Sequence, residues 1–528
     1  MRFKILLFTI LTTVMISSCS NFLKEYSQDT DYVRSWEDLN ELLIGDGYLP
    51  QFQSDNLAIV SDNEYFFHFL GDELDENTIS YDGNAMQYDG KEKVFGYYTW
   101  QARSGQNDSY TGFHKENECW EEMYKHINVV NNIIYSATKL PETTQSERIG
   151  KSKVDGEARF LRAYYYFLLV NLYGKAYTPS TASTDLGVPI KTSETVEDKI
   201  FDRNTVQECY DLILSDLQIA EKELSEYGNQ KTIYRANSTA VNFLFSRVYL
   251  YMQKWDKASE YAQKVIDSHP SLTQLNTLQQ NKGIVSPTSV ENIFSMGSNA
   301  LCNITTCEYK SFTISDSIYN LYSDDDLRKT KYIWTYGTFH GYKKLDMIST
   351  HLTQTEDMPE YYFNAYSNPY YSKNRTEVSD KFLFRSAEAY LIKAEAEAYM
   401  GHDEETRKML NTLRQYRYKT GTDYEVTATG YDLIKTIRCE RERELCLEGQ
   451  RWFDLRRYAV CEKYPESKSI IHHYYYYVNR DSYEKTSCHV FTLEPNDWGY
   501  ILPIPHETLI MNTGMKNNAR GERTFNVE

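Results

Sequence analysis

The strongest constraint on the fold is a pattern that occurs twice, in segments 237–270 and 384–417. In the first, apolar residues recur at helical spacing from Asn237 to Met252, pause at Gln253-Lys254, and resume from Trp255 to Ser268 before Pro270. Apolar residues three and four positions apart share one face of a helix, and a proline lacks the N–H that a further turn needs. Such a segment folds as two antiparallel helices. Ser246, Tyr249, Ala258, Val265 and Pro270 hold its small, aromatic and closing positions. Small side chains let the two backbones approach. The second segment, roughly Phe384 to Arg417, places Tyr390, Ala394, Gly401, Leu410 and Leu413 at matching offsets, with Thr406 where a small alanine is expected.

These offsets are those of a tetratricopeptide repeat. Other helices follow the same periodicity: one from Glu118 to Ile134, one from about Lys153 to Tyr173 stopped by Gly174, one from Val206 to Leu224, and one from about Asp432. Residues 271–383 carry little helical period. Residues 461–528 alternate like strands and loops, punctuated by Pro495, Pro503 and Pro505. The expected fold class is therefore mainly α, a tetratricopeptide-repeat helical scaffold with a large irregular loop-and-strand region. The expected units are 1–18, a leader; 19–112, an N-terminal segment with binding loops; 113–270, helical; 271–383, an irregular ligand-binding excursion; 384–460, helical; and 461–528, strands and loops. Such a scaffold presents a surface and performs no chemistry of its own.

Arg2 and Lys4 precede an apolar stretch from Ile5 to Ile16, which ends in Ser17, Ser18 and Cys19. The stretch is too short for a membrane span, which needs ~20 apolar residues, and fits a signal peptide. Cys19 stands where a bacterial lipobox places the acylated cysteine. One acyl chain binds a membrane only marginally, whereas several anchor a protein stably. Eight further cysteines, at 119, 209, 302, 307, 439, 446, 461 and 488, permit disulfides whose connectivity the sequence does not give. Most are expected as buried thiols, with a local 302–307 bridge open.

With 57 Lys and Arg against 75 Asp and Glu, the net charge is -18. A chain of that sign repels a phosphate backbone, so no nucleic-acid partner is expected.

Four segments carry a family resemblance: Asp155 to Gly174 (DGEARFLRAYYYFLLVNLYG), Tyr390 to Ala398 (YLIKAEAEA), Glu440 to Arg457 (ERERELCLEGQRWFDLRR) and Leu502 to Pro505 (LPIP). Together they resemble the SusD/RagB nutrient-binding outer-membrane lipoproteins. The resemblance implies a four-repeat tetratricopeptide scaffold, lipid attachment at Cys19, and an anchored position at the outer-membrane surface. It also implies a glycan ligand, with peptide in RagB-like relatives, and a SusC-like TonB-dependent transporter as partner. The closing segment Asn517-Asn518-Ala519-Arg520-Gly521 departs from the family's usual ending.

An enzyme would need a carboxylate pair, and Glu444 and Glu448 are the obvious one. Arg438, Arg441, Arg443 and Arg451 lie within reach if the helix from Asp432 continues through Leu455. Cations that close lower a carboxylate's pKa, whereas a general acid needs it raised. Structural ion pairing is expected there, and likewise for Glu157, Arg159 and Arg162. The chain has no G-x-S-x-G, no H-E-x-x-H and no phosphate-cradling glycine loop. His472 and His473 are adjacent and would face opposite sides of a strand, so they do not clamp one metal. Acidic loops at Asp72–Glu76 and Asp324–Asp326 offer oxygen ligands for calcium but lack EF-hand spacing, and read as solvated turns. No catalytic residue, metal or cofactor is expected.

Function should then lie in aromatic platforms. A sugar ring lays its C–H face on Tyr or Trp, and its hydroxyls meet nearby polar groups. In Val94–Arg103, strand alternation puts Tyr98 and Trp100 on one face; in Lys331–Gly337 it puts Tyr332, Trp334 and Tyr336 together. These five are the candidate glycan platforms. A third cluster, Tyr361, Tyr362, Tyr366, Tyr370 and Tyr371 with Asn364, Asn368 and Asn374, is a poorer candidate.

Overall fold

The computed structural model describes residues 33–50, 63–78, 91–227, 232–279, 282–305, 312–346, 378–478 and 484–528, with Glu226, Tyr227, Cys302, Asn303, Trp334 and Tyr336 described in their backbone only. The expected leader 1–18, Cys19, the third tyrosine cluster and the side chains of Cys302 and Cys307 lie outside the described residues.

The chain opens with α1 (Trp36–Leu42), started by a capping box in which Ser35 and Asp38 each accept the other's backbone N–H. α2 (Glu118–Ala137) and α3 (Gln145–Tyr173) follow. α3 begins earlier than periodicity indicates, because Thr144 and Glu147 form a second capping box. Next come α4 (Val206–Tyr227), α5 (Ser238–Tyr251) and α6 (Trp255–Ser268). The break between α5 and α6 falls at Gln253, which takes a φ of 58°. The later helices are α7 (Ser386–Met400), α8 (Asp403–Gln415), α9 (Gly430–Glu444) and α10 (Arg451–Ala459).

α3 packs between α2 and α4, α6 between α5 and α7, and α7 also against α8 and α9. Ser246, Ala258 and Ala262 are fully buried, which lets α5 and α6 close on each other. Phe245 stacks on Tyr261 at 4.4 Å, and Trp255 on Tyr399 at 4.1 Å. α7 is buried on every side from Ser386 to Tyr399, so it runs through the centre. It ends at Gly401 with a φ of +86°; nothing lies within 4 Å of a Cβ there, so the backbone conformation and not crowding calls for glycine.

The segment from Asp432 to Leu455 is not the single helix its period suggests. α9 stops at Glu444, Leu447 and Gly449 take φ of 56° and 68°, and α10 starts at Arg451. This turn carries Glu448 away from the stripe shared by Ile434, Ile437 and Arg441.

The strands are short and antiparallel. β1 (Leu74–Glu76) pairs with β3 (Phe312–Ile314), β2 (Asn292–Ser295) with β6 (Leu383–Arg385), and β4 (Ile333–Tyr336) with β5 (Phe339–Tyr342). β7 (Ile470–Tyr477), β8 (Lys485–Leu493) and β9 (Asn526–Val527) form one sheet in that order. Of the eight cysteines after Cys19, the six with described side chains are free thiols, and only Cys439 is not buried. Among the described residues no helix is long and apolar enough to cross a membrane.

Candidate functional site

Tyr98 and Trp100 are not a surface platform. Both are 0% exposed. Segment 94–103 forms a one-turn helix, Phe95–Tyr98, and Trp100 then takes a φ of 51°, so strand alternation never applies. Each ring instead packs on His472. The imidazole stacks 4.0 Å from Tyr98 and 4.4 Å from Trp100, nearly parallel to both. Its Nδ1 lies 2.6 Å from the Tyr98 carbonyl oxygen and its Nε2 2.9 Å from that of Gly71. Burial pulls the ring's pKa down to about 4 against the opposing pull of those carbonyls. The Trp100 indole N–H donates to the Leu70 carbonyl at 3.0 Å. These contacts pin the N-terminal segment to β7.

Tyr332 is likewise core, 1% exposed, with its hydroxyl donating to Glu444 at 3.2 Å. It caps the short helix Arg328–Lys331 ahead of β4, and so sits under the hairpin rather than on it. The side chains of Trp334 and Tyr336 lie outside the described ones.

Glu444 and Glu448 occupy a buried seam of charge. Arg385 donates to Glu444 at 2.6 Å, to Glu291 at 2.9 Å, and with two nitrogens to Glu448 at 2.7 and 2.8 Å. Arg417 donates to Glu444 at 2.9 and 3.0 Å, Arg328 does so at 2.9 Å, and Lys344 reaches Glu448 at 2.7 Å. Burial alone would raise the Glu444 pKa, but Arg417, Arg385 and Arg328 outweigh it and hold the carboxyl well below the usual glutamate range. A carboxylate held that firmly is no general acid. Ion pairing is therefore what the sequence indicates, but with different partners. Arg441 instead binds Glu388 and Asp454, Arg443 binds Glu440, Arg438 binds Glu466, and Arg451 binds Asp72. Arg162 forks onto Asp216, and Arg235 onto Glu157.

The acidic loops are committed to cations too: Asp72 to Arg451 and Lys468, Glu76 to Lys91, and Asp326 to Arg328. Glu73 differs. Burial pushes it up to about 8, although the Leu447 N–H donates to it at 2.6 Å. It therefore carries a proton at neutral pH. A carboxyl whose folded pKa exceeds its unfolded value stabilises at low pH and loses that contribution as pH rises through the folded value. Glu73→Gln keeps an acceptor for Leu447 and removes the titration. Between pH ~5.5 and ~7.5, wild type should lose ~2–3 kcal/mol relative to the variant, at 1.36 kcal/mol per pH unit. Urea midpoints at several pH values measure this; parallel curves would refute the protonated state.

The surface beside β4 holds the better candidate. A cleft of about 440 Å³ is bordered by Tyr319, Lys329, Thr330, Thr335, Lys343 and Lys419. Tyr319 is half-buried and stacks on His340 at 3.7 Å, which fixes the ring's orientation. Burial lowers the His340 pKa although Asp316 lies 3.4 Å away. Lys329 is positioned by Asp324 at 2.7 Å and stands 5.2 Å from the Tyr319 ring centre. Ile333 and Thr335, the side of β4 that alternation sets opposite the aromatic candidates, line this cleft. An anchored aromatic ring among hydroxyls and ammonium groups is suited to a sugar. Tyr319 escaped the sequence reading because it ends a one-turn helix, Asp316–Tyr319, with no strand period; its polar neighbours Asp316, Asn320 and Asp324 were the available signal.

Two family models match the chain. One, described as the SusD family, covers residues 291–520; the other, described as starch-binding associating with outer membrane, covers 68–250. SusD-like protein P38 of Formosa agariphila is 26% identical over 385 residues, 64% of this chain and 71% of its own. SusD-like protein P2 of that organism is 23% identical over 443 residues, covering 76% and 80%. Among solved structures, a putative sugar binding protein from Bacteroides vulgatus superposes with a TM-score of 0.66 at 22% identity, covering 92% of this chain and 98% of that one. A SusD superfamily protein from Bacteroides thetaiotaomicron gives 0.64 at 21% identity, covering 92% and 100%. With its helical repeat scaffold, its irregular excursion and both family models matched in their order along the sequence, the chain belongs to the SusD-like family.

Proposed function

We propose that the protein binds oligosaccharide or polysaccharide at the outer membrane and passes it, uncleaved, to a SusC-like TonB-dependent transporter. The observation that carries this reading is the Tyr319 ring, backed by His340 and bordered by Lys329, Thr335 and Lys343. The descriptions of the matched family models and of the sugar-binding neighbour agree with a glycan ligand. Lipid on Cys19 would hold the protein at the membrane and leave the helical body free to bind. The commitment of Glu444 to three arginines speaks for binding without hydrolysis.

Titration of the purified protein against glycan and peptide panels tests this. A glycan should bind and be recovered intact, with no new reducing ends. Tyr319→Ala should weaken it by ~2 kcal/mol, roughly thirtyfold, with an unchanged melting temperature. Binding confined to peptides, or hydrolysis abolished by Glu448→Gln in a folded protein, would overturn the proposal.

A further inference from the structure

A second cleft, of about 620 Å³, lies on different elements: Trp36 and Asn40 of α1, Gln145, Ser146 and Lys153 of α3, and Arg235. The indole of Trp36 lies flat on Gly150 of α3. A Cβ at Gly150 would come within 2.1 Å of Cδ2 and 2.4 Å of Cγ, so only glycine lets the ring seat there. The capping box at Ser35 and Asp38 fixes the backbone that carries Trp36. Arg235 is held against the wall by its two bonds to Glu157, at 2.9 and 2.8 Å. Arg235 is thus committed, but the other polar side chains of the lining are not. Among the described residues, the side chains of Asn40, Gln145, Ser146 and Lys153 make no hydrogen bond or ion pair. The lining contains two cations and no carboxylate. Glu157 offsets Arg235, which leaves Lys153 as an uncompensated positive charge beside an anchored ring.

We infer that this cleft is a second glycan site, for a sugar residue bearing a carboxylate or sulfate, with the pyranose ring on Trp36 and the anion at Lys153. The aromatic face takes the C–H side of the ring, the two amides and the serine hydroxyl meet its hydroxyls, and the ammonium selects the charge. This inference extends the glycan reading to a separate site and does not require the Tyr319 cleft to bind anything.

The test uses the protein labelled with 5-fluorotryptophan, with the Trp36 resonance assigned by its loss in Trp36→Phe. Glucuronate, galacturonate and galactose 6-sulfate are the probes, with glucose and galactose as neutral controls. The Trp36 resonance should shift with at least one acidic sugar and respond at least tenfold more weakly to its neutral counterpart. Lys153→Met should remove that preference, a loss of roughly tenfold in affinity for one charge-assisted contact, while leaving the other fluorine resonances in place. Tyr319→Ala should leave the Trp36 shift unchanged, which separates this site from the cleft beside β4. No Trp36 shift with any acidic sugar, or a charge preference that survives Lys153→Met, would overturn the inference.

Discussion

Glu444→Gln is expected to cost ~4 kcal/mol or more of stability, a large fraction of the roughly 5–15 kcal/mol that holds a folded domain together. Glutamine matches glutamate in shape and retains one acceptor oxygen. What it removes is the negative charge on which Arg328, Arg385 and Arg417 converge, all three being fully buried. Its amide would also present a donor to guanidinium groups that can only donate. The result is an excess of buried positive charge that Glu291, Glu448 and Asp326 only partly balance, and its cost exceeds what the intact pair contributes. Acid should act along the same path. A carboxyl held below its ordinary value stabilises above that value and gives up the contribution as pH falls. Urea unfolding at neutral pH reads the effect, with Glu466→Gln as the comparison. Glu466 is 43% exposed where it pairs with Arg438, and an exposed partner of this kind contributes ~1 kcal/mol at most. Equal losses in the two variants would show that the seam is not dry.

Trp100→Ala is expected to cost ~3–5 kcal/mol, the range for emptying a large aromatic site in a packed core. The indole is fully buried, stacks on His472 and donates to Leu70, so truncation opens a void and leaves a carbonyl without its partner. Glycan affinity per folded molecule should be unchanged. Tyr319→Ala reverses this pattern, with lost affinity and retained stability. Melting temperatures and titrations on the two variants together distinguish core from surface. A Trp100→Ala protein that melts like wild type would contradict the buried stack.

The scaffold was legible because its signals are local. Helical period, the Gln253-Lys254 pause and Gly401 each act within a few residues, and the helices appear where they indicate except for the early start of α3 and the break between α9 and α10. Two things were not local. Alternation could pair Tyr98 with Trp100 only if the segment were a strand, and it could not reveal that His472, more than 370 positions later, would lie between them. The arginines that bind Glu444 come from 27, 59 and 116 residues away, so no helical spacing connects them to it. The continuous period from Ile434 to Leu455 hid a turn that only Gly449 hinted at. Tyr319 shows the complementary difficulty: a functional aromatic on an irregular segment has no period at all.

The charged seam also bears on the order in which this protein is completed. Its cations lie at Arg328, Arg385 and Arg417, whereas Glu444 and Glu448 arrive later in the chain. Until those carboxylates dock, closing this region over the central helix would bury three guanidinium groups with only part of their counter-charge, that of Glu291 and Asp326. The helical hairpins form from neighbouring residues and can precede this step; the seam cannot, because its partners are distant and each is costly to bury alone. Assembly should therefore finish in one concerted closure. A chain cut short before Glu444 should keep its hairpins but leave Arg328, Arg385 and Arg417 short of counter-charge, and limited proteolysis of such a truncation should cut this region faster than in the complete protein.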